Sequence, residues 1–164
     1  MSAQQGSEVK TTVGTNEGKY LTFVLAGEVY GVEVLKVREI IGMMQVTAIP
    51  RLPDFVRGVM NLRGQVIPVI DLRLKLGMDI GEVTENTCII VVDISGVETG
   101  MVVDEVHEVQ NIAVEDIEDP PSFGVDVNTE FILGIGKAGE KVMILLNIGK
   151  VLTGEDILSL SHLS

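Results

Sequence analysis

The segment "LGIGKAGEK", Leu133 to Lys141, carries glycines at 134, 136 and 139 in the spacing G-x-G-x-x-G. In a dinucleotide enzyme that spacing follows a strand and opens a helix whose N-terminal amides meet a pyrophosphate. Here "EKVMILLNI" follows, a β-rich apolar run too short for such a helix. The aligned segment of an internal repeat, "RGVMNLRGQVIPVI", does not keep the pattern, so the glycines are predicted to turn a hairpin. A second constellation is His107 in "DEVHEV", among acids that could hold a metal. The H-E-x-x-H pair fails, because position 111 is Asn. In an alternating strand Glu105, His107 and Val109 share one face and Val106 and Glu108 the other, which leaves no compact ligand set. Cys88 lies in the apolar run "TCIIVV" with no evident His partner, and a buried small hydrophobe is favoured there over a reactive thiol. No G-x-S-x-G elbow or P-loop occurs. The expectation is a protein without catalytic, cofactor-binding or metal-binding residues and without a cofactor.

The elements that carry these residues are set by composition. The 164 residues suit one domain or two small ones sharing a core. The chain is 46% apolar with four Phe, two Tyr and no Trp, so its interior must be Val, Ile and Leu, a β-leaning mix. The single cysteine rules out an intramolecular disulfide and fits a reducing compartment. The opening "MSAQQGSEVKTTVGTNEG" has no apolar middle, and residues 1–18 are expected to be a disordered polar tail on a cytoplasmic protein. Net charge is −12, carried by residues 83–164, where fifteen acids face three bases; residues 1–82 hold nine of each. Such acidity excludes nucleic acid and anionic lipid as natural partners, since both need clustered Lys and Arg.

The chain repeats itself. Shifted by 69, "LAGEVYGVEVLKVREI" (25–40) lies over "ISGVETGMVVDEVHEV" (94–109), with Gly27 on Gly96, Gly31 on Gly100 and Glu39 on Glu108. Shifted by 76, "FVRGVMNLRGQVIPVIDL" (55–72) lies over "FILGIGKAGEKVMILLNI" (131–148), with Gly58 on Gly134 and Asp71 on Asn147. The extra residues fall in "EDPPSFGVDVNTE", a turn-rich stretch that tolerates insertion. "YLTFVLAG" and "CIIVVDISG" read as strands that lead by tight turns into "EVYGVEV" and "ETGMVV". A third strand is suggested around "QVTAIP" and "QNIAVE", and two more flank each glycine turn. Five short strands per copy suggest a small barrel, which closes its own edges. Asp71 and Asn147 are expected to cap short helical turns, and Thr153 a last amphipathic helix.

Two charges stand out by their neighbours. Glu39 lies in "KVREIIG" beside apolar residues, and Arg63 occupies the turn "NLRG". Copy two keeps the acid as Glu108 but has no arginine, its turn being placed one register away. Glu39 and Arg63 either pair across the first barrel, half-buried, or stand as independent surface charges. Pro68 cannot donate a ladder hydrogen bond, so it requires an edge, a bulge or a strand start.

At "FVRGVMNLRGQVIPVIDLRLKLG", joined with "LAGEVYGVEVLKVREI", the sequence resembles the bacterial chemotaxis coupling-protein (CheW) family, from about Lys19 to Leu160. The resemblance implies an all-β fold with few short helices: two five-stranded SH3-like barrels from an internal duplication, over 19–82 and 83–154, then a C-terminal helix and tail over 155–164. It implies a non-enzymatic adaptor, a monomer in isolation, joining the helical-hairpin tips of chemoreceptors to the regulatory domain of the histidine kinase CheA. By position it places Val37, Glu39, Gly58, Arg63, Cys88 and Ile89 at or near the receptor, and Gly100 and Phe123 near the kinase. A competing double barrel with a ligand pocket at the seam would need convergent polar groups there, where the sequence offers Val, Ile and Leu. A relative with an added receiver domain would need more than 164 residues.

Overall fold

The computed structural model describes residues 18–120 and 130–161; of the expected polar tail only Gly18 is among them. The first half supplies β1 (Lys19–Leu25), β2 (Glu28–Glu33), β3 (Val37–Gly42), β4 (Val56–Leu62), β5 (Gln65–Asp71) and the single-turn helix α1 (Leu72–Lys75). The second supplies β6 (Cys88–Ile94), β7 (Val97–Val103), β8 (Glu105–Asn111), β9 (Ile117–Glu118), β10 (Ile132–Ala138), β11 (Lys141–Leu146), α2 (Ile148–Val151) and α3 (Gly154–Ser161). The helix caps form as the sequence suggests. Asp71 accepts from Leu74 N, Asn147 from Gly149 N, and Thr153 and Asp156 exchange backbone-to-side-chain bonds in a reciprocal box.

The repeat survives as geometry. Adding 76 reproduces the whole β4–β5 ladder with its bulge between Val56 and Gly58. Adding 69 reproduces the β3–β6 ladder except at the bulge, where Glu39 pairs with Val91 but Glu108 and Thr22 fall between ladder pairs. The sheets do not follow the 19–82 and 83–154 division, however. One runs β9-β10-β11-β2-β1-β8 and the other β3-β6-β7-β5-β4, so each half lends its opening hairpin to the other's sheet. Two parallel ladders weld the halves, Ile144 opposite Tyr30 and Val69 opposite Gly100. The physical reason lies in the opening strands, which are apolar on both faces and need neighbours on both sides. On β6, Ile89 and Val91 fill the first barrel while Ile90, Val92 and Ile94 face the seam, all at most 1% exposed. Each such side chain contributes about 1.5–3 kcal/mol of gross burial, so one strand outweighs any surface ion pair.

The third strand starts earlier than the sequence suggests, at Val37 and Glu105, because its bulge hides the two-residue period. "QVTAIP" contributes one bridge, and that bridge closes the first barrel: Thr47 and Val59 exchange backbone bonds of 2.8 and 2.9 Å. In the second barrel β8 continues through a 3-10 turn, Val114–Asp116, into β9, which pairs with β10. Closure brings two backbones very close. A Cβ on Gly58 (φ 139°) would lie 2.0 Å from Thr47 O, and one on Gly134 would meet Ile117 Cγ2 at 2.6 Å. The aligned glycines therefore do the same work in both copies. Pro68 sits in β5 just before the ladder to β7 begins at Val69, where its missing N–H leaves no partner wanting.

Three apolar clusters result. Met60, Ile67, Val69, Ile89, Val91 and Val102 fill one barrel; Tyr20, Ile112, Met143 and Leu145 fill the other. The largest packs the seam between them, from Phe23 and Leu25 to Leu152 and Leu160. Lys75 pins α3 there, bonding Asp156 at 3.0 Å while lying over the Phe55 ring.

Candidate docking site

The turn between β4 and β5 holds two residues, Arg63 (φ 53°) and Gly64 (φ 85°), both left-handed as a type I′ hairpin requires. Asn61 Oδ1 accepts from Gly64 N at 2.8 Å and fixes the turn. Arg63 is thereby aimed at β3, where Glu39 stands opposite Val91 beside the bulge. Its guanidinium donates to both carboxylate oxygens of Glu39, at 2.8 and 2.5 Å, in a fork geometry. The Arg63 hydrogen bond holds the Glu39 carboxyl below its ordinary range. Of the two sequence alternatives the pairing is realised, but at the surface: the side chains are 69% and 28% exposed. The second turn keeps the register that the 76-residue shift gives, so the one-register offset expected of it is not found. Gly139 (φ 66°) holds the Arg63 place between Ala138 and Lys141.

The remaining expected site residues divide by depth. Val37 is half-buried opposite Val92, and Cys88 is half-buried between Gly42 and Val103. Desolvation pushes the Cys88 thiol up, which favours the inert form. Ile89 is wholly inside the first barrel, and Gly58 is locked against Thr47. Gly100 is buried too, where a Cβ would lie 2.8 Å from Ile89 Cγ2 and 3.1 Å from Met60 Cε. Substitutions at these three positions act by repacking the barrel beneath the Glu39–Arg63 surface. Phe123 lies outside the described residues.

The other candidate chemistries resolve locally. Gly134 and Gly136 lie in β10 and Gly139 in the turn, and a strand follows them. His107 approaches Glu105 Oε2 at 3.4 Å on an exposed stretch. Among the described residues no three His, Cys, Asp or Glu side chains gather as a metal site.

Sequence reasoning missed a network of four charges. Asp71, 3% exposed at its side chain, caps α1 and also accepts from Arg57 Nε and Nη2 at 3.1 and 2.8 Å. Two residues on, Arg73 donates to both oxygens of Asp104, whose Oδ2 also accepts from Ala26 N at 2.9 Å. The Arg73 bonds, more than that backbone bond, depress the Asp104 pKa against the opposing effect of burial. Under the repeat these four positions become Leu133, Asn147, Gly149 and Leu35. Leu133 and Leu35 are exposed apolar side chains, 38% and 54%. The usable signal was the pair of arginines flanking Asp71 in "FVRG…IDLR", absent around Asn147.

Three comparisons bear on this arrangement. Residues 19–156 match the CheW-like domain. The chemotaxis protein CheW of Klebsiella aerogenes is 42% identical over 139 residues, covering 85% of this chain and 84% of that one. The CheW of Bacillus subtilis is 33% identical, with 84% and 88% covered. Among solved structures, the crystal structure of the scaffolding protein TtCheW from Thermoanaerobacter tengcongensis superposes with a TM-score of 0.77. It is 36% identical and the match covers 85% of this chain and 94% of that one.

Proposed function

This chain belongs to the CheW-like domain family, and from that premise we propose that it is a scaffold of bacterial chemotaxis signalling. It couples the cytoplasmic tips of methyl-accepting chemoreceptors to the histidine kinase CheA and helps to build receptor–kinase arrays, without catalysing a reaction. The family match across both barrels is the observation that carries this reading. It acts in the cytoplasm as a monomer that receptors recruit; among the described residues no helix is long and apolar enough to cross a membrane.

Receptor contact falls on Val37, Glu39, Arg63 and Cys88, the accessible members of the expected set, with Gly58 and Ile89 supporting them from below. A receptor tip is a helical hairpin, and a helix is gripped by a few apolar anchors within a charged frame. Val37 offers the apolar contact, and the Glu39–Arg63 fork holds a preformed charge pattern at low cost in side-chain entropy. Kinase contact falls near Gly100 and Phe123. Modest single contacts gain strength by avidity in an array.

The test is reconstitution of this protein with receptor fragments and purified kinase, following autophosphorylation. The wild type should restore receptor control. Arg63→Asp should abolish it while the thermal midpoint stays unchanged, because the pair it breaks is exposed. Kinase activity that responds to neither the wild type nor the variant would overturn the assignment.

A further inference from the structure

The mouth of the second barrel is where Glu39 and Arg63 have their structural counterparts. The 69-residue shift carries Glu39 onto Glu108 and its partner Val91 onto Thr22, at the bulge of each ladder. Thr22 seals that bulge, its hydroxyl donating to Glu108 O and accepting from Glu108 N at 2.7 and 3.1 Å. The 76-residue shift carries Arg63 onto Gly139. The acid is thus retained on a backbone that Thr22 holds, while the side chain that answers it in the first barrel is missing.

A cavity of about 460 Å³ opens at this place, lined by Glu108, Val29, Ala138, Val142, Met143 and Lys141, with Thr22 at its floor. Val142 is 57% exposed at this mouth, somewhat more than its first-barrel counterpart Val66 at 43%. The Glu108 carboxylate has no ion-pair partner among the described residues. We propose that this mouth is a socket for an arginine side chain presented on a tight turn of a partner protein, reproducing between molecules the Arg63–Glu39 fork that the first barrel makes within itself.

The chemistry matches on both parts of an arginine. Its aliphatic stem would lie along Val29, Val142 and Met143, and its guanidinium would reach the exposed carboxylate of Glu108. Residues 83–164 carry fifteen acids against three bases, a net charge that favours the approach of a cationic segment, although two of those bases, Lys137 and Lys141, lie on the socket's own hairpin. Lys141 opposes this from the rim, where its counterpart in the first barrel is the neutral Gln65. The socket is independent of the coupling function proposed above and does not require that reading to hold.

The probe is a cyclised hairpin peptide with this chain's own 59–68 sequence, titrated into the full-length protein and followed by methyl and amide NMR. Binding should shift Val29, Val142 and Met143. Replacing the peptide's arginine with citrulline, or Glu108→Gln in the protein, should each weaken it at least tenfold. Lys141→Gln should tighten it. Gly139→Arg should abolish it by filling the mouth internally: a Cβ there meets nothing within 4 Å, and Arg63 already shows that this turn position accepts arginine at positive φ. No shift at these residues with millimolar peptide, or binding indifferent to Glu108→Gln, would overturn the proposal.

Discussion

The corner of the first barrel around Asp71 and the matching corner of the second around Asn147 sit at equivalent places on equivalent ladders. Both cap a one-turn helix, and both sit beside a closing glycine one bulge away. Beyond that shared frame they part. The first adds Arg57, Arg73 and Asp104 to make a four-charge lattice, and the second leaves Leu133 and Leu35 facing solvent. The mouths differ in the same way, one bridged by Arg63 and the other open. Backbone requirements such as caps, bulges and close approaches are held in both copies, because each barrel needs them to close. Charges on the outside are not required for closure, so they are where the two copies come to differ.

The most severe way to test the shared frame is at its closing glycines. Gly58→Ala puts a methyl carbon into backbone atoms and adds strain at φ 139°, so it should cost more than about 4 kcal/mol and leave little folded protein. Gly134→Ala meets the end of the Ile117 side chain, which can shift, and Glu118 O at the milder distance of 3.0 Å, and should cost only about 1–3 kcal/mol. Thermal or urea unfolding of the two variants separates these outcomes; equal losses would mean that the barrels close differently from the geometry described.

Next comes the charged corner. Arg57→Ala leaves the buried Asp71 carboxylate without its guanidinium and should cost about 2–4 kcal/mol, whereas Leu133→Ala at the matching place should stay within about 0.5 kcal/mol. Chemical denaturation midpoints decide it, and a neutral Arg57→Ala would remove the case that this corner contributes to stability.

The smallest effect is a pH dependence. The folded Asp104 pKa is lowered from 3.8, first by its bonds from Arg73. A depressed carboxylate stabilises fully above its unfolded value and loses that contribution as pH falls through the folded one. The wild type should therefore lose stability below about pH 4, and Arg73→Ala should flatten that slope. Parallel slopes in the two proteins would show that the Arg73–Asp104 bonds do not set it.

Much of this was legible in the residues. The offsets 69 and 76, the hairpin turns, and the caps at Asp71, Asn147 and Thr153 all rest on local chemistry, and local chemistry is what a sequence displays. The exchange of opening hairpins was not legible. "YLTFVL" and "CIIVV" demand neighbours on both faces but carry nothing that says which half supplies them. The depth of Ile89 and Gly100 was hidden for the same reason, since a strand apolar on both faces has no period to tell barrel interior from seam. Whether Glu39 and Arg63 pair, and how deep, was open in the sequence because Val37, Ile40 and Ile41 flank Glu39, yet Ile40 is itself 46% exposed.

The most direct measurement of the central claim is an NMR footprint of a receptor-tip helical hairpin on the isotopically labelled full-length protein. The expected result is a cluster of perturbations at Val37, Glu39, Arg63 and Cys88 on the first barrel that disappears with Arg63→Asp. A footprint confined to the second barrel, or one that survives Arg63→Asp unchanged, would contradict it.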